Sequence, residues 1–283
     1  MPEATGRLVA VANLKGGSGK STLAVHLAGV LGERGWRAIL LDADPQHTAY
    51  LWAKRVRLPA DAERQPLGSI VDARRWVVQL LGLLSEYDFV VLDLPSVIGP
   101  AVASALLLGH VVLVPVPPAA VDVEGTQRTL RYVRSAREAR TGAPPMVRLV
   151  PVRIANGHDL SALCARLAVF GEPLALPLGE YPELAACFAD GVWIGSDSRF
   201  ALARQAFDRL AQLVEGLATG AGEPPLVARA RRLEVPPAAK TVRPLRHLAP
   251  GAAATPRRGF AWLATLWRRL PKGTGRPSAP VRG

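Results

Sequence analysis

The sequence predicts an α/β protein in which helices cover both faces of a mostly parallel β-sheet. Short apolar runs alternate with amphipathic stretches over residues 1–218 of 283, and this alternation implies parallel strands joined by right-handed crossovers. The runs are nearly continuous in Val, Leu and Ile, which is typical of strands buried on both faces. The chain is 49% apolar and 20% charged, so most of it can form a core.

The apolar runs place the strands, and the intervening 3.6-residue periodicity places the helices. The predicted strands are Arg7–Ala12, Ala38–Asp42, Phe89–Asp93, His110–Pro115 and Val147–Val152, with a weaker candidate at Pro173–Leu176. The predicted helices are Lys20–Arg34, Val71–Leu84, Val102–Leu108, Val123–Arg140, Leu160–Val169 and Arg199–Leu217. Ligands bind at the carboxyl ends of strands in such folds, so motifs are expected there.

One apolar stretch resembles a membrane span in length. Leu94–Val121 contains no Asp, Glu, Lys or Arg over 28 residues, but it contains five prolines. A turn, a short helix and a buried strand explain it better than a transmembrane helix. The N-terminus shows no secretory signal, and Cys164 and Cys187 form no CxxC pair, so we expect a cytosolic protein without a disulfide framework.

Positive charge is concentrated after the predicted core. Residues 219–283 hold 13 Lys and Arg against Glu223 and Glu234, whereas residues 1–218 are close to neutral. We therefore predict four regions. They are a core domain at 1–218, a Pro/Gly/Arg-rich linker at 219–258, a candidate amphipathic helix at 259–271 and a disordered basic end at 272–283.

A glycine-rich motif follows the first strand and opens the first helix. It reads Asn13-Leu14-Lys15-Gly16-Gly17-Ser18-Gly19-Lys20-Ser21-Thr22. Glycines let backbone N–H groups converge on phosphate oxygens, and the helix N-terminus adds positive potential. Lys20 can then neutralise phosphate charge while the Ser21 hydroxyl reaches Mg²⁺.

This motif resembles the deviant Walker A motif of the ParA/MinD family of P-loop ATPases, because Leu14 replaces the usual glycine and Lys15 precedes the glycine pair. The resemblance covers about residues 7–217. Asp42-Ala43-Asp44-Pro45-Gln46 is similar to the family's second motif, and Phe89–Asp93 is similar to its Walker B strand. Leu113–Pro117, followed by Glu124-Gly125, is similar to the family's next strand and helix start.

The resemblance implies ATP and Mg²⁺ as cofactors and a role for each matching residue. Lys15 would reach the partner's phosphates in an ATP-bound homodimer, Lys20 would bind phosphate and Asp44 would position the attacking water. Ser21, Asp42 and Asp93 would lie at the metal. The implied nucleotide-binding set is Lys15, Gly16, Gly17, Ser18, Gly19, Lys20, Ser21 and Thr22. Ordinary capping after a strand is the alternative for Asp42 and Asp44.

The sequence also departs from the family's patterns. Leu94-Pro95-Ser96 replaces the usual Pro-Pro after the Walker B aspartate. Cluster-ligating cysteines are absent, and no helix-turn-helix precedes the motif, so we expect the short form of the family.

Arginines suggest a nucleic-acid partner. They recur every third residue on the predicted helix Val123–Arg140, and more lie on the last core helix. Such residues can bind phosphate backbone without reading sequence, although a solvated helix face is the alternative. The candidate DNA-binding residues are Arg128, Arg131, Arg134, Arg137, Arg140, Arg199 and Arg204, with Arg209 nearby.

A second candidate surface lies near the C-terminus. If residues 260–270 are helical, they form a short basic amphipathic helix suited to an anionic membrane, resembling in placement the targeting helix of MinD-type proteins. Docking on the core, a protein partner and an unstructured tail are the alternatives. The candidate membrane residues are Phe260, Trp262, Leu263, Leu266, Trp267 and Leu270.

We therefore expect a ParA-type ATPase that acts as a dimerisation switch in DNA partition or cargo positioning. The resemblance implies nonspecific DNA binding in the ATP state, a ParB-like activator and a cytoplasmic, nucleoid-associated location. The main alternative is a MinD-like ATPase that cycles on the inner membrane face. A metabolic P-loop enzyme, such as a cobyrinate amidase relative, is a third hypothesis, and a hydrolysis-dead scaffold is a fourth.

Overall fold

Six parallel strands form one sheet in the computed structural model, which describes residues 6–65, 73–97, 99–139, 145–155 and 159–220. The strand order is β3-β2-β4-β1-β5-β6. The strands are β1 Arg7–Val11, β2 Ala38–Asp42, β3 Asp61–Arg64, β4 Phe89–Asp93, β5 Val111–Val116 and β6 Met146–Pro151. Strand β1 pairs with β4 on one side and with β5 on the other, so it lies in the middle of the sheet.

Eight α-helices connect or follow these strands in the described residues. They are α1 Lys20–Glu33, α2 Thr48–Arg55, α3 Ala73–Glu86, α4 Pro100–Leu108, α5 Ala120–Ala139, α6 Leu160–Ala168, α7 Pro182–Asp190 and α8 Ala201–Thr219. A 3₁₀ turn at Ser198–Phe200 precedes α8.

Two apolar cores lie on opposite faces of the sheet. Val9 and Val11 of β1 pack into one core with residues of α1, α2 and α8. Leu8 and Ala10 of the same strand pack into the other core with residues of α3, α4 and α5. Side chains alternate along a strand, so a strand that is apolar at every position needs two covered faces. The predicted fold class is confirmed.

The predicted strands at Ala38–Asp42 and Phe89–Asp93 match β2 and β4, and the other three core strands shift by one residue at their ends. The weaker strand at Pro173–Leu176 is wrong, because this segment forms an isolated bridge from Leu174 to Leu149 on the outer side of β6. Strand β3 and helices α2 and α7 are absent from the predicted elements. The sequence of β3, Asp-Ala-Glu-Arg, is polar because this strand lies at the sheet edge.

The long apolar stretch behaves as predicted. It forms α4 and β5, and none of the helices in the described residues has the length and hydropathy needed to cross a bilayer. Helix α8 ends at Thr219, one residue beyond the predicted domain boundary. The predicted linker, amphipathic helix and basic end, apart from residues 219–220, lie outside the described residues, as does Arg140.

A histidine of α1 is buried in the core. His26 is fully buried and lies edge-on to Trp52 at 5.0 Å and to Phe207 at 5.4 Å between ring centroids. Neither ring nitrogen has a hydrogen-bond partner in the described part of the chain. Burial without a partner disfavours the charged imidazolium and lowers the pKa of His26 to about 3.

This histidine should make the fold sensitive to acid. The unfolded chain binds a proton at His26 near pH 6.5, whereas the folded chain does so only near pH 3. The free energy of unfolding should therefore fall as pH decreases through this window, by up to about 1.4 kcal/mol per pH unit. Urea unfolding at several pH values should show a shallower dependence for His26→Phe. Equal slopes for the variant and the wild type would contradict this account.

Candidate functional site

The glycine-rich motif forms an open loop between β1 and α1. Gly17 and Gly19 have φ values of 72° and 89°, a region that side chains other than glycine rarely adopt. A Cβ atom at Gly16, Gly17 or Gly19 would meet no atom within 4 Å. Open space therefore lies in front of the loop, and α1 begins directly at Lys20. This is the geometry of a phosphate-binding helix N-terminus.

Lys20 and Ser21 both bond to the region at the end of β4. The Lys20 ammonium donates to Ser96 Oγ at 2.5 Å, and the Ser21 hydroxyl donates to Asp93 Oδ2 at 2.7 Å. Asp93 is fully buried. Burial raises the pKa of Asp93 to about 7, while the Ser21 hydrogen bond and the Lys20 charge act in the opposite direction. Burial likewise lowers the pKa of Lys20, opposed by the charges of Asp93 and Asp44.

Two buried oxygens near Lys20 and Ser21 lack hydrogen-bond partners in the described residues. Ser18 Oγ and Asp93 Oδ1 have no hydrogen-bond partner in the described residues. A buried polar atom without a partner is costly, and hydroxyl and carboxylate oxygens are ligands that Mg²⁺ accepts. Ser21 and Asp93 therefore fit a magnesium ion bound together with phosphate.

Asp42 and Asp44 occupy the turn from β2 into α2. Asp42 is buried, and its two carboxylate oxygens accept hydrogen bonds from the backbone N–H groups of Asp44 and Tyr50, each at 2.9 Å. Burial raises the pKa of Asp42, and these two bonds oppose that shift. Asp42 thus holds the turn and the first turn of α2. The Asp44 carboxylate accepts one hydrogen bond in the described residues, from the backbone N–H of Gln46 at 2.9 Å, and Asp44 is partly exposed.

Lys15 is held against the start of α5. Its backbone N–H donates to Asn13 Oδ1 at 2.9 Å, and its ammonium lies 3.9 Å from Asp122 Oδ1. Its side chain is 38% exposed. A Cβ atom at Gly125 would lie 3.3 Å from the Cβ of Lys15, so a larger residue there would require Lys15 to shift by a few tenths of an ångström. The ammonium is accessible at the surface beside the phosphate loop.

Several residues that shape this site were not predicted from the sequence. Asn13 is buried and donates to the carbonyl of Pro115 at 2.8 Å, and Thr129 accepts from the N–H of Leu14 at 3.0 Å. These bonds fix the loop to β5 and α5. No sequence pattern reveals them, because the partners lie more than 100 residues apart. Ser96, which bonds Lys20, differs from the family's pattern and so carried no expected role.

A cavity of about 260 Å³ adjoins the phosphate loop. It lies between the end of the loop and the segment that follows β6. Its lining includes Gly19, Thr22, Arg153, Gly179, Tyr181 and Phe207. Such a mixed apolar and polar pocket beside a phosphate site suits the flat base of a nucleotide.

The predicted DNA-binding arginines that the structure describes differ in their partners. Three are paired with carboxylates: Arg137 with Glu172 at 2.6 Å, Arg199 with Asp190 and Asp197, and Arg204 with Glu33 and Asp208. Arg134 donates to the carbonyl of Phe170 at 2.9 Å. Arg128 and Arg131 are exposed and form no ion pair in the described residues.

Comparisons with known proteins identify the family of this chain. The family described as the CobQ/CobB/MinD/ParA nucleotide binding domain matches residues 9–191. The chain is 36% identical over 131 residues to the maintenance of carboxysome distribution protein A of Halothiobacillus neapolitanus, matching 46% of this chain and 59% of that protein. It is 32% identical over 225 residues to the chromosome-partitioning ATPase Soj of Thermus thermophilus, matching 65% of this chain and 87% of Soj.

A solved structure shows the same fold. The ATP complex of McdA from Cyanothece aligns with a TM-score of 0.60 at 15% sequence identity, covering 78% of this chain and 98% of the other.

The hydrogen bonds of Asp42 generate a stability prediction. Asp42→Ala removes the acceptor of two backbone N–H groups and should lower the free energy of unfolding by about 1–3 kcal/mol. Asp42→Asn retains one carbonyl acceptor and should lower the free energy of unfolding by a smaller amount. Glu63→Ala is the control, because Glu63 is an exposed carboxylate on β3. Equal urea midpoints for Asp42→Ala and Glu63→Ala would show that Asp42 does not hold the turn.

Proposed function

Because the chain belongs to the CobQ/CobB/MinD/ParA nucleotide-binding family, we propose that it is a Mg²⁺-dependent ATPase that dimerises on binding ATP. The dimer would position DNA or another cellular cargo. The observation that carries this proposal is the arrangement of Lys20, Ser21 and Asp93 at the mouth of an open glycine loop. Phosphoryl transfer needs little covalent chemistry from the protein, so positioning and charge neutralisation suffice.

Each residue of the site has a distinct task in this proposal. The loop's N–H groups and the N-terminus of α1 bind the phosphates, and Lys20 exchanges Ser96 for phosphate oxygen. Ser21 and Asp93 hold Mg²⁺, which neutralises charge on the phosphates when bound. Asp44, with one carboxylate oxygen free of backbone bonds in the described residues, orients the attacking water. The base lies in the cavity beside Gly19 and Thr22.

Lys15 connects nucleotide binding with dimerisation. Its ammonium is exposed and has one carboxylate neighbour among the described residues, Asp122, at the outer limit of an ion pair. Such an exposed pair contributes little, typically about 0–1 kcal/mol. The ammonium can therefore leave Asp122 and reach the phosphates of a second copy. A buried, fully bonded lysine could not.

The relatives favour a positioning function over a metabolic one. The family description includes CobQ and CobB, so family membership alone does not exclude an amidotransferase-like enzyme. Soj and the carboxysome distribution protein are both positioning proteins by name. The ATP-bound state would bind DNA, and a ParB-like protein would stimulate ATP hydrolysis.

Trapping the dimer tests the switch. Asp44→Ala should bind ATP but fail to hydrolyse it, so light scattering should show a doubled mass with ATP and a single mass with ADP. Lys15→Ala in the same background should bind ATP and remain a monomer, because no ammonium then reaches the partner's phosphates. A persistent monomer for Asp44→Ala with bound ATP would contradict the sandwich dimer.

Cosedimentation distinguishes between DNA and a membrane as the surface that the protein binds. The full-length chain and residues 1–220 are compared with random-sequence duplex DNA and with anionic vesicles, each with ADP and with a slowly hydrolysed ATP analogue. We expect both proteins to bind DNA more tightly with the analogue and to lose binding as salt increases. Binding of the full-length chain to vesicles alone would favour the membrane alternative, which relies on residues 260–270.

A further inference from the structure

A cluster of unpaired cations lies at the edge of the sheet, on different elements from the arginines that the sequence predicts as DNA contacts. Lys54 is on the last turn of α2, Arg57 follows that helix, and Arg64 ends β3. All three side chains are exposed, and none forms an ion pair within the described residues. We call Tyr50, Lys54, Arg57 and Arg64 the α2–β3 surface.

Two of these cations lie close to the ring of Tyr50. The Lys54 ammonium lies 5.5 Å and the Arg64 guanidinium 5.8 Å from the centre of the Tyr50 ring, both within cation–π distance. Arg57 and Lys54 line the same open groove next to β3. The charges are therefore held close together on one face instead of being spread over the surface.

The acidic residues of strand β3 form no ion pair with these cations in the described part of the chain. Successive side chains of a strand point to opposite faces, and Ala62 packs into the core beneath α2, which places Arg64 on the α2 side. Asp61 and Glu63 alternate with them, and Asp61 accepts a hydrogen bond of 2.7 Å from Tyr87 after α3. Asp61 also lines the groove of Lys54 and Arg57, but no carboxylate of the described residues forms an ion pair with Lys54, Arg57 or Arg64.

Three of the arginines on α5 and near α8 differ from the cations of the α2–β3 surface because they form ion pairs. Arg137, Arg199 and Arg204 each have a carboxylate partner, so their charge is locally compensated. An anionic partner would have to displace these carboxylates. The α2–β3 surface requires no such exchange, and a linear array of phosphates matches its charge.

The surface is also tied to the nucleotide site. The Asp42 carboxylate accepts the N–H of Tyr50 in the first turn of α2, and the Asp42 carbonyl accepts the N–H of Gln65 next to Arg64. Asp42 and Arg64 are register partners on β2 and β3. A rearrangement of the turn around Asp44 would therefore move both halves of the surface.

We propose that the α2–β3 surface binds the phosphate backbone of duplex DNA and that the turn from Asp42 to Asp44 couples this binding to the bound nucleotide. This inference rests on the proposed function, and it assigns the DNA contact to a different surface from the arginines of α5 and α8. Duplex DNA is favoured over a membrane because Lys54 and Arg64 lie at a Tyr50 ring that is only partly exposed, whereas interfacial binding uses protruding apolar side chains.

The test compares matched charge reversals in the full-length chain. Arg57→Glu/Arg64→Glu is compared with Arg128→Glu/Arg131→Glu, which makes the same charge change at exposed residues of α5. Binding to random-sequence duplex is measured with the slowly hydrolysed ATP analogue and with ADP, from about 50 to about 200 mM salt. Affinity for the analogue and the melting temperature should match the wild type in both variants, which establishes that each is folded.

We expect Arg57→Glu/Arg64→Glu to weaken analogue-dependent DNA binding by at least about tenfold. The slope of log affinity against log salt should fall by about 2, because each phosphate that is no longer neutralised removes roughly 0.9 from it. Arg57→Lys/Arg64→Lys should restore binding, because phosphate contact needs charge and not a guanidinium. Arg128→Glu/Arg131→Glu should bind DNA nearly as tightly as the wild type.

Three results would overturn the proposal. Wild-type binding by Arg57→Glu/Arg64→Glu, with weakened binding by Arg128→Glu/Arg131→Glu, would move the DNA-binding surface to α5 and leave the proposed function intact. Weaker binding of Arg57→Glu/Arg64→Glu to phosphatidylserine vesicles but not to DNA would make this a membrane surface. Absence of analogue-dependent DNA binding by the wild type itself would reject DNA as the partner and the proposed function with it.

Discussion

The site depends on one constraint, the burial of the Asp93 carboxylate at the end of the central strand β4. A buried charge is unfavourable unless it is paired and hydrogen-bonded, and burial raises the pKa of Asp93 to about 7. The Ser21 hydroxyl and the nearby Lys20 charge compensate in part, while Asp93 Oδ1 keeps no partner among the described residues. The position of α1, which carries Lys20 and Ser21, is therefore fixed relative to β4. A divalent cation bound at Asp93 would complete the compensation.

Asp42 extends this arrangement from the nucleotide site to the sheet edge. It lies beside Asp93 in the register of β2 and β4, and each of its carboxylate oxygens accepts a hydrogen bond from a backbone N–H group. The neighbouring strand ends thus hold two buried carboxylates with different tasks. Asp93 faces the phosphate loop, and Asp42 fixes the start of α2. Hydrogen bonds of Asp42 thus join the turn at Asp44 to α2 and β3.

Local patterns in the sequence were sufficient for the central strands and the phosphate loop. Continuous apolar runs predict β2 and β4 because both strands are buried on both faces, and the glycine pattern predicts the loop at Gly17 and Gly19 because those positions need positive φ. Strand β3 could not be predicted, since an edge strand of four mostly charged residues has no hydrophobic period. The ion pairs of Arg137 with Glu172 and of Arg204 with Glu33 were equally hidden, because the two partners of each pair lie far apart in the sequence.

Calorimetric titration of a slowly hydrolysed ATP analogue tests the central claim most directly. The claim is that Lys20, Ser21 and Asp93 form a site for magnesium and ATP. Wild-type protein should bind the analogue more tightly with Mg²⁺ than with EDTA. Ser21→Ala should lose this magnesium-dependent increment, and Lys20→Ala should lose binding in both conditions. Equal affinity with and without Mg²⁺ in the wild type, or undiminished binding by Lys20→Ala, would contradict the assignment of the site.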